Sequence, residues 1–428
     1  MSYNLLYVFA DQLSMYALNI YGNQNAVATP NMDRLARQGV RFTNSYCSTP
    51  QCSPSRSSLL TGLHPHKTGV VGNIGSPDTV PLSEELIGVG VHMQRQGFRT
   101  GYFGKWHLGT PVDRFGFDVW SGHVPNEEKD ERTTRHAVGF IEQGVPGQPW
   151  LALVSYENPH NIYDVIHAMN EGLELDTDSI VLPSNFHDDL ADKPRAQRIY
   201  LDHDQGELLT SFDEDKWKYY LAFYYRLVRE LDEELGKLLA ALESSGQTER
   251  TIIIFSSDHG DLMGAHRCPF KGPMMYDELI KVPLLISCPG LLPEGETRDQ
   301  LTVNIDIFPT VCDLLGVTIP VGLDGRSIKP CLLDASREDR AYVVIQYHSK
   351  QKWVNPIRTI VNKEFKYNLY LSGEEELYAA GQEDREVTNL ARDGRYDEVK
   401  ANLKSMLLEW MQREGDPFFD YETTELGG

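Results

Sequence analysis

The chain has 428 residues, 41% hydrophobic and 24% charged, enough for a large core and, by length, for one large domain with a smaller one. Forty Lys and Arg against 62 Asp and Glu give a formal net charge of −22, which argues against a nucleic-acid binder and against a surface that coats itself in a long polyanion. An anionic small molecule has to be caught by a local cationic pocket inside a repulsive overall field.

Six cysteines, at positions 47, 52, 268, 288, 312 and 331, are scattered without a C-x-x-C pair or a zinc spacing. Apart from Cys52 they read as reduced structural thiols, which fits a reducing compartment. No apolar run is long enough for a membrane span. The apolar stretch from Leu5 to Ala10 is too short for a signal h-region and follows no basic segment. The expectation is a cytoplasmic protein with no nucleic-acid or membrane partner.

In chain order, Leu5 to Ala10 is the continuous apolar run of a strand buried on both faces. Asp11 and Gln12 follow at its carboxyl end, where ligands gather in open α/β sheets. Thr29 to Ala36 reads as a capped helix start. Cys52 to Gly62 reads as a short helix with a cysteine at its mouth, Pro54 in the first turn and Gly62 at the exit. The helix N-terminus and Arg56 make that mouth electropositive, which would activate a thiol and attract an anion. The plain alternative is an inert buried cysteine. Leu82, Leu86, Val89 and Met93 recur at helical spacing. Phe98 to Phe103 reads as a strand, followed by Lys105 and His107, which would share one side of an extended chain.

Trp150 to Tyr156 is a further apolar strand, leading to Glu157, Asn158, Pro159 and His160, with Tyr163 a weaker candidate for the same neighbourhood. Residues 165 to 210 are acidic and poorly periodic, an insertion over a pocket rim, whose His167, His187 and His203 read as surface residues. From Trp217 to Leu242 the apolar residues step by four and three, one long helix. Thr251 to Ser256 is a buried strand ending in Asp258 and His259, with Asp261 two residues on. Two distant acidic strand ends and an imidazole can converge on a divalent metal. Asn304 to Leu315 reads as a helix. After about 333 the texture changes to short strands at Tyr342 to Tyr347, Ile357 to Val361 and Phe365 to Leu371, then a helix from Glu398 to Glu414.

The string Cys52-Ser53-Pro54-Ser55-Arg56, followed by Leu60-Thr61-Gly62, resembles the signature of the type I sulfatases. Thr29 to Ala36, Gly104 to Gly109, Pro159-His160, Ser257 to Asp261, Lys271 with the stretch to Ile286, and Tyr367 to Tyr378 extend the resemblance from residue 4 to about 391. It implies an α/β fold, the alkaline-phosphatase-like α/β/α sandwich with a mostly parallel central sheet over 1–332. A small C-terminal α+β subdomain, antiparallel sheet plus helix, would occupy 333–428.

The resemblance also implies an activity: hydrolysis of a sulfate monoester to alcohol and inorganic sulfate. The nucleophile would be the hydrate of formylglycine, made from Cys52 by a formylglycine-generating enzyme or a radical maturase. The metal set would be Asp11, Gln12, Cys52, Asp258 and His259 around one divalent ion. Ca²⁺ comes first, with Mn²⁺ and Mg²⁺ open because Gln12 and His259 stand where the family usually has Asp and Asn. Catalytic positions would be Cys52, Arg56, Lys105, His107, His160 and Lys271. Arg56 would hold the hydrate and, with Lys105 and Lys271, attract the substrate's anion. His160 with Lys271 would protonate the leaving alcohol, and His107 would act as base in release of sulfate.

The substrate expected is a small anionic sulfate ester, on a carbohydrate or another small organic alcohol. The alternative on the same scaffold is a phosphonate monoester or phosphodiester hydrolase, a branch that Asp11-Gln12 and Asp258-His259 also resemble, whereas Gly104 to Gly109 favours a sulfatase. An ordinary cysteine hydrolase leaves the Arg and Lys cluster unexplained. A catalytically dead binding protein is at odds with charged positions that are all filled apart from Gln12.

Overall fold

The structure is a computed structural model describing residues 3–122, 129–145, 147–337, 340–381 and 385–424. Its centre is an eight-stranded sheet built from β1 (Asn4–Asp11), β2 (Gly39–Phe42), β3 (Arg99–Gly104), β4 (Val119–Ser121), β5 (Trp150–Pro159), β6 (Thr251–Ser257), β7 (Leu284–Ser287) and β8 (Glu296–Arg298), in the order β4-β3-β5-β1-β6-β7-β2-β8. The five strands from β4 to β6 are parallel, β7 runs antiparallel to both neighbours, and β8 is parallel to β2.

β1 shows why the sheet is covered on both sides. All eight of its residues are buried, and they alternate between two cores. Leu6, Val8 and Ala10 pack with the helices Lys129–Glu142 and Glu214–Ser244, while Leu5, Tyr7 and Phe9 pack with Leu59, Leu60, Phe308 and Val311 from the opposite layer. An apolar run without polar alternation can be satisfied only in that way, each large side chain contributing about 1.5–3 kcal/mol of burial. The parallel order also gathers the carboxyl ends of β1, β3, β5 and β6 along one edge.

A second sheet follows, β9 (Val343–Lys350), β10 (Trp353–Val361), β11 (Phe365–Tyr370) and β12 (Glu375–Ala379), antiparallel throughout. Val343, Ile345, Tyr347 and Ile357 face Tyr46, Met274 and Tyr276 of the larger part. Val344, Ile360, Tyr367 and Leu369 face Leu403, Leu407, Trp410 and Met411 of the helix Asp397–Glu414. The small sheet is thus a filling between the larger part and the last helix.

Two local expectations change. The strand after residue 150 runs on through Glu157 to Pro159, because Asp130 caps the backbone N–H groups of Glu157 and Asn158 at 2.7 and 2.9 Å. The acidic run at 374–376 hides a fourth strand. Glu376 is fully buried there, its carboxylate accepting hydrogen bonds from Asn368, Tyr370, Tyr378 and Gln197 at 2.7–3.1 Å. Four neutral donors make that burial tolerable, and a local pattern does not reveal them. No helix among the described residues is long and apolar enough to cross a membrane.

The segment after the last helix is pinned by a bidentate pair, Arg358 Nε and Nη2 to Asp416 at 2.5 and 2.7 Å, both side chains at most 2% exposed. Burial pushes the Asp416 carboxyl up, the Arg358 guanidinium outweighs it, and the net shift is downward. Folded-state affinity for the proton is therefore lower than the unfolded reference of about 3.9, so this stabilisation is full above that value and disappears as pH falls through the folded pKa. Asp416→Ala is expected to cost about 3–5 kcal/mol at pH 7, since it strands a buried cation. Urea midpoints at pH 7 and pH 3 check this; the gap between wild type and variant should shrink at the lower pH.

Candidate active site

Gly104 ends β3 at φ +98°, where a Cβ would lie 2.0 Å from the Ser155 carbonyl oxygen. The absence of a side chain lets the chain turn against β5, with the Lys105 N–H donating to Ser155 O at 3.0 Å. Lys105 then reaches Asp11, Nζ to Oδ2 2.6 Å, with Glu157 Oε1 at 3.4 Å. His107 reaches the same region through a left-handed turn, φ +59°, rather than by extended alternation with Lys105.

At the end of β1, Gln12 has φ +72° in a fully buried position. The register of β1 against β5 shifts between Phe9 and Asp11. These two departures from ideal strand geometry let consecutive side chains serve one site, where a regular strand would send them to opposite faces. Gln12 Nε2 donates to Asp261 at 2.7 Å, and its Oε1 accepts from Lys271 Nζ at 2.8 Å. Asp261 is held further by the Tyr220 hydroxyl at 2.9 Å and stands behind Gln12.

The helix Cys52–Thr61 is buried along its whole length, with Gly62 in the left-handed conformation closing it. Arg56 is 1% exposed. Its Nη2 contacts Asp11 Oδ2 at 2.9 Å, its Nε contacts Asp258 Oδ2 at 2.8 Å, and its Nη1 donates to Lys105 O at 2.7 Å and Ser155 Oγ at 2.6 Å. The guanidinium therefore stands behind the carboxylates, clamping the ends of β1 and β6, and does not line the cavity as an anion-catching group.

Cys52 Sγ lies 3.0 Å from Lys271 Nζ, 3.3 Å from His259 Nε2 and 3.6 Å from Asp11 Oδ1. One ligand atom each from Asp11, Cys52, Asp258 and His259 lies within 4.8 Å of all the others. His259 Nδ1 is 2.8 Å from the Gly260 carbonyl; donation there leaves the Nε2 lone pair facing the cluster. Burial raises the Asp11 carboxyl, but Lys105, His160, Arg56 and Lys271 bring it well below the usual range. Burial and the Asp11 charge push Asp258 up. Two enclosed carboxylates that disfavour joint ionisation, with an imidazole lone pair, fit a divalent cation, and their oxygens suit a hard one. Gln12 adds an amide oxygen at the edge of this set.

Above the cluster is a cavity of about 240 Å³ lined by Cys52, Lys271, His107, His160 and Tyr163 together with Gln51, Asn73, Gln205, Lys350 and Gln351. Tyr163 stacks on Phe270 at 4.3 Å. Burial and the charge of Lys105 push the His160 imidazolium down to about 3. His167, His187 and His203 are exposed and do not line the cavity. Of the expected positions, Asp11, Gln12, Cys52, Arg56, Lys105, His107, His160, Asp258, His259 and Lys271 all come to this one edge of the sheet. The sequence does not reveal the rest of the lining, Gln51, Asn73, Gln205, Lys350 and Gln351. Lys350 and Gln351 sit at a polar turn of the second sheet, and nothing in their spacing separates them from an ordinary solvated hairpin.

Residues 3–317 match the sulfatase family model. The chain belongs to the sulfatase family. Residues 264–413 also match the C-terminal model of N-sulphoglucosamine sulphohydrolase. The Delta 4,5-hexuronate-2-O-sulfatase of Bacteroides thetaiotaomicron is 29% identical over 437 residues, covering 97% of this chain and 90% of that protein. The structure of a 2-O GAG sulfatase superposes with a TM-score of 0.87 at 26% identity, over 99% of this chain and 95% of that one. The phosphonate monoester hydrolase of Agrobacterium radiobacter superposes at 0.77 with 25% identity and 99% coverage of each chain. This sulfatase is a sulfuric ester hydrolase, with the α/β/α sandwich and antiparallel C-terminal sheet of its structural neighbours.

Burial and Asp11 raise the Cys52 thiol, but Lys271, Lys105 and His259 bring it well below the ordinary thiol value. Burial pushes Cys47, Cys268, Cys288 and Cys312 upward. In protein carrying unmodified Cys52, iodoacetamide at pH 7 is therefore expected to alkylate Cys52 ahead of those four, because the thiolate is the nucleophile. Peptide mass spectrometry over a time course reads the order.

Proposed function

We propose that this sulfatase hydrolyses the sulfate ester of a small carbohydrate, using formylglycine at position 52 and one divalent metal ion, Ca²⁺ first with Mn²⁺ and Mg²⁺ as alternatives. The observation that carries the reading is the convergence of Asp11, Asp258, His259 and Lys271 on the Cys52 sulfur. The carbohydrate class is supported by the hexuronate and GAG named for two relatives. Asp11, Gln12, Asp258 and His259, with residue 52, would hold the ion. When present, the ion and the formylglycine hydrate supply a hydroxyl nucleophile at neutral pH and a second hydroxyl whose deprotonation releases sulfate.

The chain's own groups have distinct tasks on this reading. Lys271 and Lys105 hold the sulfate oxygens and stabilise the charge that shifts in the transition state. Arg56 keeps Asp11 and Asp258 in place from behind. His160 and Lys271 face the departing alcohol and give it a proton; a bound sulfate offsets the neighbouring cations that push the His160 imidazolium down. His107, whose Nδ1 is buried without a hydrogen-bond partner, is the base for the release step. A formylglycine-generating enzyme or radical maturase is the partner, and the boundary between the two parts lies near 332. The cytoplasm is the compartment, supported by the buried free thiols of Cys47, Cys268, Cys288 and Cys312.

Active protein is expected to carry an aldehyde at position 52 and one divalent ion per chain, by peptide mass and elemental analysis. Cys52→Ala should be folded and inactive. Lys105→Ala and Lys271→Ala should lower kcat by about 10²–10³-fold. Sulfate release exceeding phosphate and phosphonate release from matched esters supports the reading; the reverse order supports the phosphonate hydrolase alternative.

Because the protein is strongly acidic overall and its cationic groups at this site are enclosed, moderate inert salt should leave kcat/KM unchanged or slightly raised for an anionic monoester. Salt screens the repulsive field beyond about 8 Å and enclosed contacts much less. Initial rates across a chloride titration test this, and a steep fall would point to a basic capture surface.

A further inference from the structure

Five lysines among the described residues are buried: Lys105, Lys193, Lys271, Lys350 and Lys366. Four have an anionic partner at close range. Lys105 and Lys366 reach carboxylates at 2.6 and 2.7 Å, Lys193 reaches one at 3.2 Å, and Lys271 lies 3.0 Å from the Cys52 sulfur. Lys350 is different. Its nearest ion-pair oxygen, Asp204 Oδ1, is 3.7 Å away and already accepts the Gln205 backbone N–H at 2.5 Å. Its ammonium donates to the Lys271 carbonyl and lies 4.3 Å from the centre of the Tyr200 ring. Burial pushes that ammonium down to about 7, whereas Lys105, Lys271 and Lys366 are pushed up. A cation taken out of water with only a distant carboxylate is poorly compensated.

The cavity wall around Lys350 has the same character. Gln51 is 4% exposed, and its Oε1 has no hydrogen-bond partner. Gln205 Oε1 is buried and likewise without a partner. Both residues line the cavity with Lys350. Unpaired buried acceptors call for donors, and a sugar's hydroxyls are donors of suitable size. The volume of about 240 Å³, below the roughly 300–1,000 Å³ of sites for drug-sized ligands, is on the scale of one sugar ring.

We propose that Lys350 is a specificity-determining residue that binds a second anionic group on the substrate. The alcohol half is then a single sugar unit carrying a carboxylate or another sulfate, with its hydroxyls donating to Gln51 and Gln205. The inference rests on the carbohydrate sulfatase reading and deepens it. No bond is made or broken at Lys350. Its task is to hold an anion where the protein supplies only the Asp204 carboxylate at 3.7 Å.

The test uses full-length, calcium-loaded Cys52→Ala protein, so that binding is read without turnover. Calorimetry measures two matched pairs: glucose 2-sulfate against glucuronate 2-sulfate, and N-acetylglucosamine 6-sulfate against glucosamine 2-N,6-O-disulfate. The doubly anionic member of at least one pair is expected to bind roughly 10- to 100-fold tighter than its partner. Adding Lys350→Gln should bring that ratio close to one, and Lys350→Arg should retain it, which separates lost charge recognition from a damaged fold. Which pair responds tells a carboxylate from a second sulfate. Equal affinities within both pairs, a preference that survives Lys350→Gln, or no binding of any of the four overturns the proposal. Sulfate release from the same sugars by protein with an intact position 52 is measured separately. Its absence beside Lys350-dependent binding would count against the hydrolytic reading alone.

Discussion

The site depends on one buried guanidinium. Arg56 joins Asp11 at the end of β1 to Asp258 beyond the end of β6, and both carboxylates are wholly enclosed. Three charges in so little space carry a heavy desolvation cost, and their attraction offsets it only because the fork geometry gives each carboxylate a short, directed contact. The helix Cys52–Thr61 is thereby locked to the sheet edge from which the other site residues come. Removing either carboxylate would loosen the helix and, on the proposed reading, take away a metal ligand, so metal binding, helix position and the direction of the Cys52 side chain become one mechanical problem.

Charge organisation around that clamp is layered. Behind it lie neutral hydroxyls and carbonyls, Ser155 Oγ and Lys105 O, which finish the guanidinium's hydrogen bonds. In front lie Lys105, Lys271 and the Cys52 sulfur. A protein of strongly negative net charge can still receive an anion there because the local field at a few ångströms, inside low-dielectric walls, outweighs distant screened charges. The second sheet completes the enclosure by sending Lys350 and Gln351 across to the cavity.

Much of this organisation is legible in the amino-acid sequence. The strand Leu5 to Ala10 can be read because a fully apolar run has few other places to go. Asp11 and Asp258 can be read because acids at the carboxyl ends of such strands face outward from the sheet edge. Cys52, Lys105, His160 and Lys271 need the resemblance of whole motifs, since a lone Lys or His on a loop is ordinarily solvated. What stays hidden is set by contacts distant in sequence. Arg56 reads as a substrate cation until Asp11 and Asp258 are found on either side of it. The burial of Glu376 has no local sign, because it depends on four donors, one of them Gln197 from far away in the chain. Lys350, at the end of a strand, shows its place only when the turn after it is seen to reach a cavity built from residues as far back as Gln51 and Cys52.

On the proposed reading, the complete burial of the helix that begins at Cys52 sets a clock on biosynthesis. A modifying enzyme would reach Cys52 only before that helix is packed against the sheet edge. The walls that shut it in come from later parts of the chain, beginning with Asn73 and His107 and ending with Lys271, Lys350 and Gln351. At ribosomal speeds of about 5–20 residues per second, the interval between emergence of Cys52 and synthesis of Lys271 is on the order of 10–40 s. On the proposed reading, the yield of competent enzyme is then decided during translation, by whether modification outruns closure of the sheet edge. A change that speeds folding of the N-terminal part would then lower the yield of active enzyme without touching a site residue.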